Sequence, residues 1–439
     1  MAMRMKDSGI EWIGEIPEDW EVRKLKYISS SMGGGTPSKD RAEFWNGDIP
    51  WVSPKDMKNE IISTAEDMIT VEGLEQSSTK MVLQGAVLIV VRSGILKHTI
   101  PVAINAVNVA MNQDMKAVMV DPAVMTNAFF LRWIQGLNDA LLKEWVKLSA
   151  TVDSIEQEYF ANTCIAYPSI KAQEIIIRFL DSRCAEIDTV IAAKQRQNEL
   201  LKEQRQSIIF EAVTKGLDPM VTYKDSGVEW IGEMPEGWEA FKIKHIVAVP
   251  VTDGPHESPQ LVDEGIPFIS AEAVKGNKLD FSLMRGYISK EDHEVYCKKV
   301  RPQREDIFVV KSGATTGAIA IVDTDDEFSI WSPLALVRSK KPDYIQRFVY
   351  YAMLSDSFRK QIELGWNFGT QQNLGMNVLE NLYIACPLST EVQQQISDYL
   401  DTRCAELDRV VAANNAVIDK LKEYRQSLIY EAVTGKIAV

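Results

Sequence analysis

Positive charge is what this sequence has least of relative to need: 48 lysines and arginines stand against 62 aspartates and glutamates, a formal net charge of −14. That balance argues against a protein that coats nucleic acid without regard to sequence. It leaves room for a DNA reader with a local basic face, or for a subunit whose partners supply part of the affinity. Cysteine is scarce as well. The five present (Cys164, Cys184, Cys297, Cys386, Cys404) form no CxxC pair and are odd in number, which predicts reduced thiols in a cytoplasmic protein. Only four histidines occur, none in metal-ligand spacing to a cysteine, so no metal site is expected. No apolar run reaches the length of a membrane helix; the longest, around Ala86 to Val91, suits a buried strand. The opening MAMRMKDSG carries no apolar core of a signal peptide.

The catalytic motifs are missing too. There is no GxxxxGK[ST] phosphate loop, no N/D-P-P-Y/F tetrad of amino-methyltransferases, no GxSxG elbow and no HExxH helix. Thr434-Gly435-Lys436 resembles the end of a phosphate loop but lacks the upstream glycine and strand. Gly313 to Gly317 reads as a turn between strands, and Asp306 and Lys311 are too loosely spaced for a nuclease pair. The expectation is a chain that is not itself an enzyme.

What the chain does have is duplication. Leu180 to Val213 (LDSRCAEIDTVIAAKQRQNELLKEQRQSIIFEAV) returns as Leu400 to Val433 (LDTRCAELDRVVAANNAVIDKLKEYRQSLIYEAV), more than half of it identical. Neither copy contains Gly or Pro, so each predicts one unbroken helix. Apolar residues recur every seven positions, at Leu180, Ile187, Leu201 and Ile208 and at Leu400, Leu407, Leu421 and Leu428, with companions such as Ile191, Ala212, Val411, Ile418 and Ala432. That is a coiled-coil-like stripe. Its middle heptad carries Lys194 in one copy and Asn414 in the other, a polar residue that sacrifices some stability and fixes register. One such stripe would suit an ordinary core helix. Two in one chain most simply pair with each other.

A second duplication opens each repeat: Lys6 to Trp20 (KDSGIEWIGEIPEDW) and Lys224 to Trp238 (KDSGVEWIGEMPEGW) match at twelve of fifteen positions. Together the offsets give two modules of about 219 residues, in keeping with a chain of 439 residues, 46% apolar and 25% charged, too long for one core. The expected divisions are 1–20, a first duplicated segment; 21–171, a first globular domain; 172–216, a helix; 217–238, the repeat of the first segment; 239–390, a second globular domain; and 391–439, a second helix.

The globular segments have diverged almost completely and keep only landmarks. Ile49-Pro50-Trp51-Val52-Ser53 answers Ile266-Pro267-Phe268-Ile269-Ser270, Arg92-Ser93-Gly94 answers Lys311-Ser312-Gly313, and Ile165-Ala166-Tyr167-Pro168 answers Ile384-Ala385-Cys386-Pro387. These segments read as strand-rich with short helices over Asn127 to Val146 and Tyr344 to Leu364. Matching scaffold with differing inserts suggests two modules of one fold that bind two different things of one class. Sequence is read by polar side chains on base edges, while cations and backbone amides hold phosphates. The loops with that mixture are Gly34, Gly35, Thr36, Ser38 and Lys39; Arg92 and Ser93; Lys97 and His98; Thr151; Thr252 and His256; Lys311, Ser312, Thr315 and Thr316; and Asn367, Thr370, Gln371 and Gln372. The amides of the last group suit adenine edges.

On the WIGEIP segments, on Gly35-Thr36-Pro37-Ser38 followed by Phe44-Trp45-x-Gly47-x-Ile49-Pro50-Trp51, and on the two helices that begin Leu-Asp-x-Arg and end Glu-Ala-Val-Thr, the whole chain resembles the specificity subunits of type I restriction-modification enzymes. The second repeat departs from the Gly-Thr-Pro-Ser form, and Tyr167 to Gln173 and Cys386 to Gln393 follow the family's pre-helix pattern only loosely. The resemblance implies an α+β fold. Two target recognition domains, each reading half of a bipartite site on double-stranded DNA, are separated by two long antiparallel helices, a coiled-coil spacer with pseudo-two-fold repetition. It implies that the helices dock two methyltransferase subunits, that motor-nuclease subunits join for cleavage, and that S-adenosylmethionine, ATP and Mg²⁺ belong to those partners, with no cofactor on this chain and no membrane. A helix of about 34 residues is ~50 Å long, more than the 34–36 Å or so of one DNA turn, and so can act as a ruler between half-sites. End-to-end repetition further places Glu431 to Thr434 near Lys6 to Gly9, as Glu211 to Thr214 runs on to Lys224. Weak, salt-sensitive DNA binding is expected of the chain alone. A self-contained DNA methyltransferase or nuclease, and a coiled-coil adaptor that binds no DNA, are the alternatives.

Overall fold

The computed structural model describes residues 4–147, 152–368 and 372–439. They pack as two units: Met1–Lys194 with Asn415–Val439, and Gln195–Asn414. Two long helices, Ile170–Lys215 and Thr390–Val433, each contribute residues to both.

In the first unit the apolar run Val87–Val90 is the middle of a five-stranded sheet. The order is Ser29–Gly33, Met115–Val120, Val87–Val90, Val102–Asn105, Ile61–Ile62, antiparallel except for the last pairing. All four residues of the run are buried, because both faces of the sheet are covered. Val87 and Ile89 face the cluster built on Phe130, Trp133 and Ile134. Leu88 and Val90 face Val52, Met111 and Met115, beside a three-stranded sheet of Ala110–Met111, Trp45–Val52 and Asp67–Ile69.

The second unit repeats this plan with one edge strand fewer. Its sheet runs Thr252–Asp253, Leu334–Val337, Ile307–Val310, Ile319–Ile321, all antiparallel. Ile307 and Val309 face one core and Phe308 and Val310 the other. The Ile-Pro-aromatic landmarks fall on equivalent registers: Val52 pairs in parallel with Met111, and Ile269 in parallel with Ile330.

Both long helices begin earlier than their duplicated stretches, at Ile170 and Thr390. The extra turns carry Gln173 and Gln393, both fully buried. Gln173 accepts from the Thr126 amide at 2.9 Å and donates to the carbonyls of Val124 and Pro168 at 2.9 Å each. Gln393 does the same with the Ile345 amide and the carbonyls of Asp343 and Pro387. One amide side chain thus ties the helix start to the adjoining globular body in each unit, and this is what the loosely matched pre-helix motif provides.

Within the second unit, Asn198 of one long helix meets Asn414 of the other, and Arg205 lies 3.9 Å from Asp408. Numbers rise on one helix as they fall on the other, so the pairing there is antiparallel. Within the first unit, Leu180, Cys184 and Ile187 share a core with Leu428, Ile429, Ala432 and Val433.

The spans expected as single short helices are each broken in two: Asn127–Gly136 with Asn138–Trp145, and Gln346–Leu354 with Asp356–Leu364. Ser355 is extended and caps the second member of its pair. Gly136 ends its helix where a Cβ would lie 3.0 Å from Val433 and 3.1 Å from Ile429, so a larger residue there would press on the long helix.

The KDSG segments make matching hairpins, in which Asp7 and Asp225 accept from the amides of Gly9 and Gly227, and Ser8 and Ser226 from those of Ile10 and Val228. Each hairpin seats a helix end. Gly216, with φ +79°, lies against Trp238, and Gly435, with φ +70°, against Pro17 and Trp20. Lys436 Nζ donates to the Ile13 carbonyl at 2.8 Å, so inside the first unit the end of the second long helix meets the first duplicated segment at Ile13, Pro17 and Trp20, further along it than the expected Lys6 to Gly9.

Candidate nucleic-acid interface

Strand ends bring the candidate loops together. In the first unit Gly34 N donates to Met115 O, Arg92 N to Asp114 O, Ser93 N to Asp153 O and Ile155 N to Val91 O. The glycine loop, Arg92–Ser93, Gln113–Asp114 and Asp153–Ile155 therefore meet at the end of the central strand. The glycines serve packing: a Cβ on Gly34 would lie 2.0 Å from the Asn112 carbonyl, and one on Gly35 2.3 Å from Ser78 Oγ. Two tryptophans of the neighbouring sheet, with ring centroids 5.2 Å apart, hold the loop by its carbonyls. Trp51 donates to Gly35 O and Trp45 to Ser38 O, both at 3.0 Å. This is the local work of the Phe-Trp-x-Gly-x-Ile-Pro-Trp motif. It leaves Ser38 and Lys39 exposed, and Thr36 donating to Gln113.

Arg92 is exposed, while Ser93 caps the short helix Gly94–Lys97. Lys97 and His98 are exposed as well, but His98 lines a cavity with Asn138, Lys422 and Gln426, away from the glycine loop's contacts. Lys116, paired across the sheet with Gly33, lies over the Phe160 ring at 5.3 Å; burial pushes its pKa down.

The second unit keeps the same end and changes its chemistry. Gly254 takes the place of Gly34, with a Cβ 1.9 Å from the Ile330 carbonyl. The loop carbonyl is again held by a tryptophan, Trp331 donating to Glu257 O at 3.2 Å, although this tryptophan comes from a different strand end. Thr252 and Asp253 form the edge strand. Asp253 is buried, and its carboxylate accepts from both Lys311 and Lys299, with His256 Nε2 at 3.3 Å. Burial raises its pKa, but Lys299 and Lys311 outweigh that and hold it below the usual value.

In the structure the Arg92–Lys311 correspondence moves by one residue. Lys311 N donates to Pro333 O and Leu374 N to Lys311 O, the bonds that Val91 makes with Asp114 and Ile155. Lys311 therefore matches Val91, and Ser312, bridged to Asn373, matches Arg92, bridged to Ser154. The slip is one residue, which on a strand turns a side chain to the other face. Lys311 points inward to Asp253, whereas Arg92 is exposed.

Thr315 is exposed and Thr316 donates to the Gly313 carbonyl at 2.7 Å, in a turn as expected. Asn367 and Gln372 lie on a two-stranded ladder, paired with Asn373 and Phe368 respectively. Thr151, Thr370 and Gln371 lie outside the described residues. Sequence reasoning missed Asp253, Lys299, Gln113 and Asp114. Asp253 lies between the expected Thr252 and His256, but an acid among candidate DNA contacts reads as unsuitable until its cations are seen.

Asp306 and Lys311 are not partners. Asp306 is held by Arg338 at 2.6 and 2.7 Å, and burial raises its pKa against that pairing. Among the described residues no group of three or more His, Cys, Asp or Glu could hold a metal ion, and no helix is long and apolar enough to cross a membrane.

Two stretches of the chain, residues 17–202 and 235–422, match one family model, described as type I restriction modification DNA specificity domain. The EcoR124I/EcoR124II specificity subunit of Escherichia coli is 34% identical over 203 residues, 46% of this chain and 48% of that protein, so the match spans about half of that relative's length. The MjaIX specificity subunit of Methanocaldococcus jannaschii is 26% identical over 436 residues, 97% of this chain and 95% of that protein. A solved chain from work on complex assembly and conformational transition of the type I R-M system matches with a TM-score of 0.68 at 14% identity, covering 96% of this chain and 99% of that one. At that identity the likeness speaks for the fold.

Proposed function

The chain belongs to the type I restriction modification DNA specificity family, and from that premise we propose that it selects the DNA sequence on which a restriction-modification complex acts, each unit reading one half of a bipartite site. The observation that carries this reading is the pair of sheet ends. One topology, with equivalent glycines and loop-holding tryptophans, presents Arg92, Ser38 and Lys39 in one unit and the Asp253 cluster with His256 and Thr315 in the other. A shared frame with different polar side chains suits two different short words of duplex. The proposed contacts are Thr36, Ser38, Lys39, Arg92 and Ser93 on the first half-site, and His256, Lys299, Lys311, Ser312 and Thr315 on the second.

Catalysis belongs to partners in this reading. Two methyltransferase subunits dock on the paired helices and bring S-adenosylmethionine; motor-nuclease subunits bring ATP and Mg²⁺ chemistry; the assembly works in the cytoplasm. The helix of 46 residues rises ~1.5 Å per residue, enough to set a fixed gap between half-sites. Family membership disfavours both a self-contained methyltransferase or nuclease and an adaptor that binds no DNA.

The test is methylome sequencing of a host expressing this chain with its cognate methyltransferase subunit. A single bipartite motif with a constant gap is expected. A continuous motif, or methylation that does not depend on this chain, overturns the reading.

A further inference from the structure

Asp253 is out of place for a simple core. It is 4% exposed, yet one carboxylate gathers two lysines and a histidine from three separate stretches of the second unit. Their exposure rises outward: the side chains are 11% exposed for Lys311, 49% for Lys299 and 76% for His256. A buried carboxylate needs compensation, but one well-placed cation supplies it. Two lysines leave a net positive charge at this spot, in a chain that is acidic overall.

The first unit shows that the fold does not demand the cluster. Ladder registers put Gly33 where the second unit has Asp253, because Gly33 faces Lys116 as Asp253 faces Ala335. Val91 stands where the second unit has Lys311, and the same loop offset puts Thr36 at His256. One topology forms with glycine, valine and threonine at these places, so the charged set answers to something other than folding. Within its own sheet it lies at the end equivalent to the one where the candidate loops of the first unit gather.

We infer that Asp253 is a positioning residue for sequence recognition: it fixes the Lys311 and Lys299 ammonium groups as directed donors to acceptor atoms on base edges of the second half-site, a device that the first unit does not use. This rests on the functional reading above. An ammonium is a compact donor that suits the O6 and N7 acceptors of guanine. Left mobile on its four-carbon stem it would meet phosphates without discrimination. Pinned by a buried carboxylate, it holds one direction.

The experiment uses the full chain assembled with its cognate methyltransferase subunits and a DNA pool randomised over the target site, read out by sequencing of methylated products. Asp253→Asn keeps the shape and removes the charge that holds both lysines; Lys299→Gln, at a half-exposed side chain, provides a variant that folds if the first does not. Both are expected to relax base preference by about tenfold at one or two positions, all within one half-site, with the other half and the gap unchanged. Arg92→Gln is expected to alter the opposite half. Unchanged preferences in assembled Lys299→Gln and Asp253→Asn complexes overturn the inference, and so does a uniform loss of rate on all sequences, which marks structural or phosphate contacts only. A wild-type complex with no bipartite motif overturns the functional reading instead, so the two failures are told apart.

Discussion

Single side chains decide how each helix joins its globular body. Gln173 and Gln393 each make three hydrogen bonds to backbone groups, one buried and two part-buried. Gln393→Ala should cost about 2–4 kcal/mol, because amide and carbonyl groups lose partners away from water, and Gln393→Glu should cost more, since a carboxylate cannot donate to the two carbonyls. The midpoint of chemical unfolding monitored in the second unit checks both. Glu60 has a similar office in the first unit: it binds Arg132 at 2.9 Å and Arg425 at 2.7 Å, from a short helix and a long one. Burial raises its pKa, but the two arginines outweigh that and leave it below 4.5. A carboxylate depressed on folding contributes stability above its unfolded value and loses it as pH falls through the folded one. Thermal stability should therefore decline as pH drops past about 4.5, and Glu60→Gln should flatten that decline while lowering stability at neutral pH. At this scale the sequence was least legible. It showed that lysine and arginine follow a buried strand; whether the first residue after it faces in or out depends on a one-residue register, and only the hydrogen-bond ladder reveals that Lys311 points to Asp253 while Arg92 does not.

Elements were far more legible, because periodicity and duplication add up over many residues. Of the heptad positions, Leu180, Ile187, Leu400, Leu407 and Leu428 are buried and Leu201, Ile208 and Leu421 half-buried; the buried polar pair is Asn414, 4% exposed, which donates to Asn198 at 2.8 Å, four residues past the Lys194 expected in the first copy. Replacing Asn414 alone by Leu should destabilise by about 1–3 kcal/mol, since the Asn198 amide loses that bond inside the seam. Replacing both by Leu should recover stability and loosen register, the usual exchange at a buried polar seam position. A double-mutant cycle on melting temperatures measures the coupling. The broken short helices were not legible. Ser355 ends one by an extended backbone that its own type does not require, and the other ends at Gly136, which packs close to Ile429 and Val433 almost three hundred positions later. Such causes are tertiary and leave no local signature.

At the scale of the molecule, the second unit is one continuous span and the first is assembled from both ends of the sequence. The duplication made this foreseeable, since repeat follows repeat and each helix end must find a hairpin. The bridge between the first repeat's helix and the second hairpin is exposed, with Leu217 at 44% and Met220 at 87%. A polypeptide in which residues 219–439 precede 1–218, joined by a short flexible linker, should fold with the same melting profile and, in complex, methylate the same bipartite motif. Circular dichroism and methylome sequencing test that; loss of either signal would mean that the bridge does more than connect.

The split make-up of the first unit also orders events during synthesis. Trp20, Phe129 and Trp133 emerge from the ribosome early, but the Leu428, Ile429, Ala432 and Val433 side chains that complete their core are made some three hundred residues later. Until then a broad apolar face of the nascent chain lies open, whereas Gln195–Asn414 can close upon itself. Folding should therefore finish from the middle outward, with the earliest-made half waiting longest and depending most on chaperones.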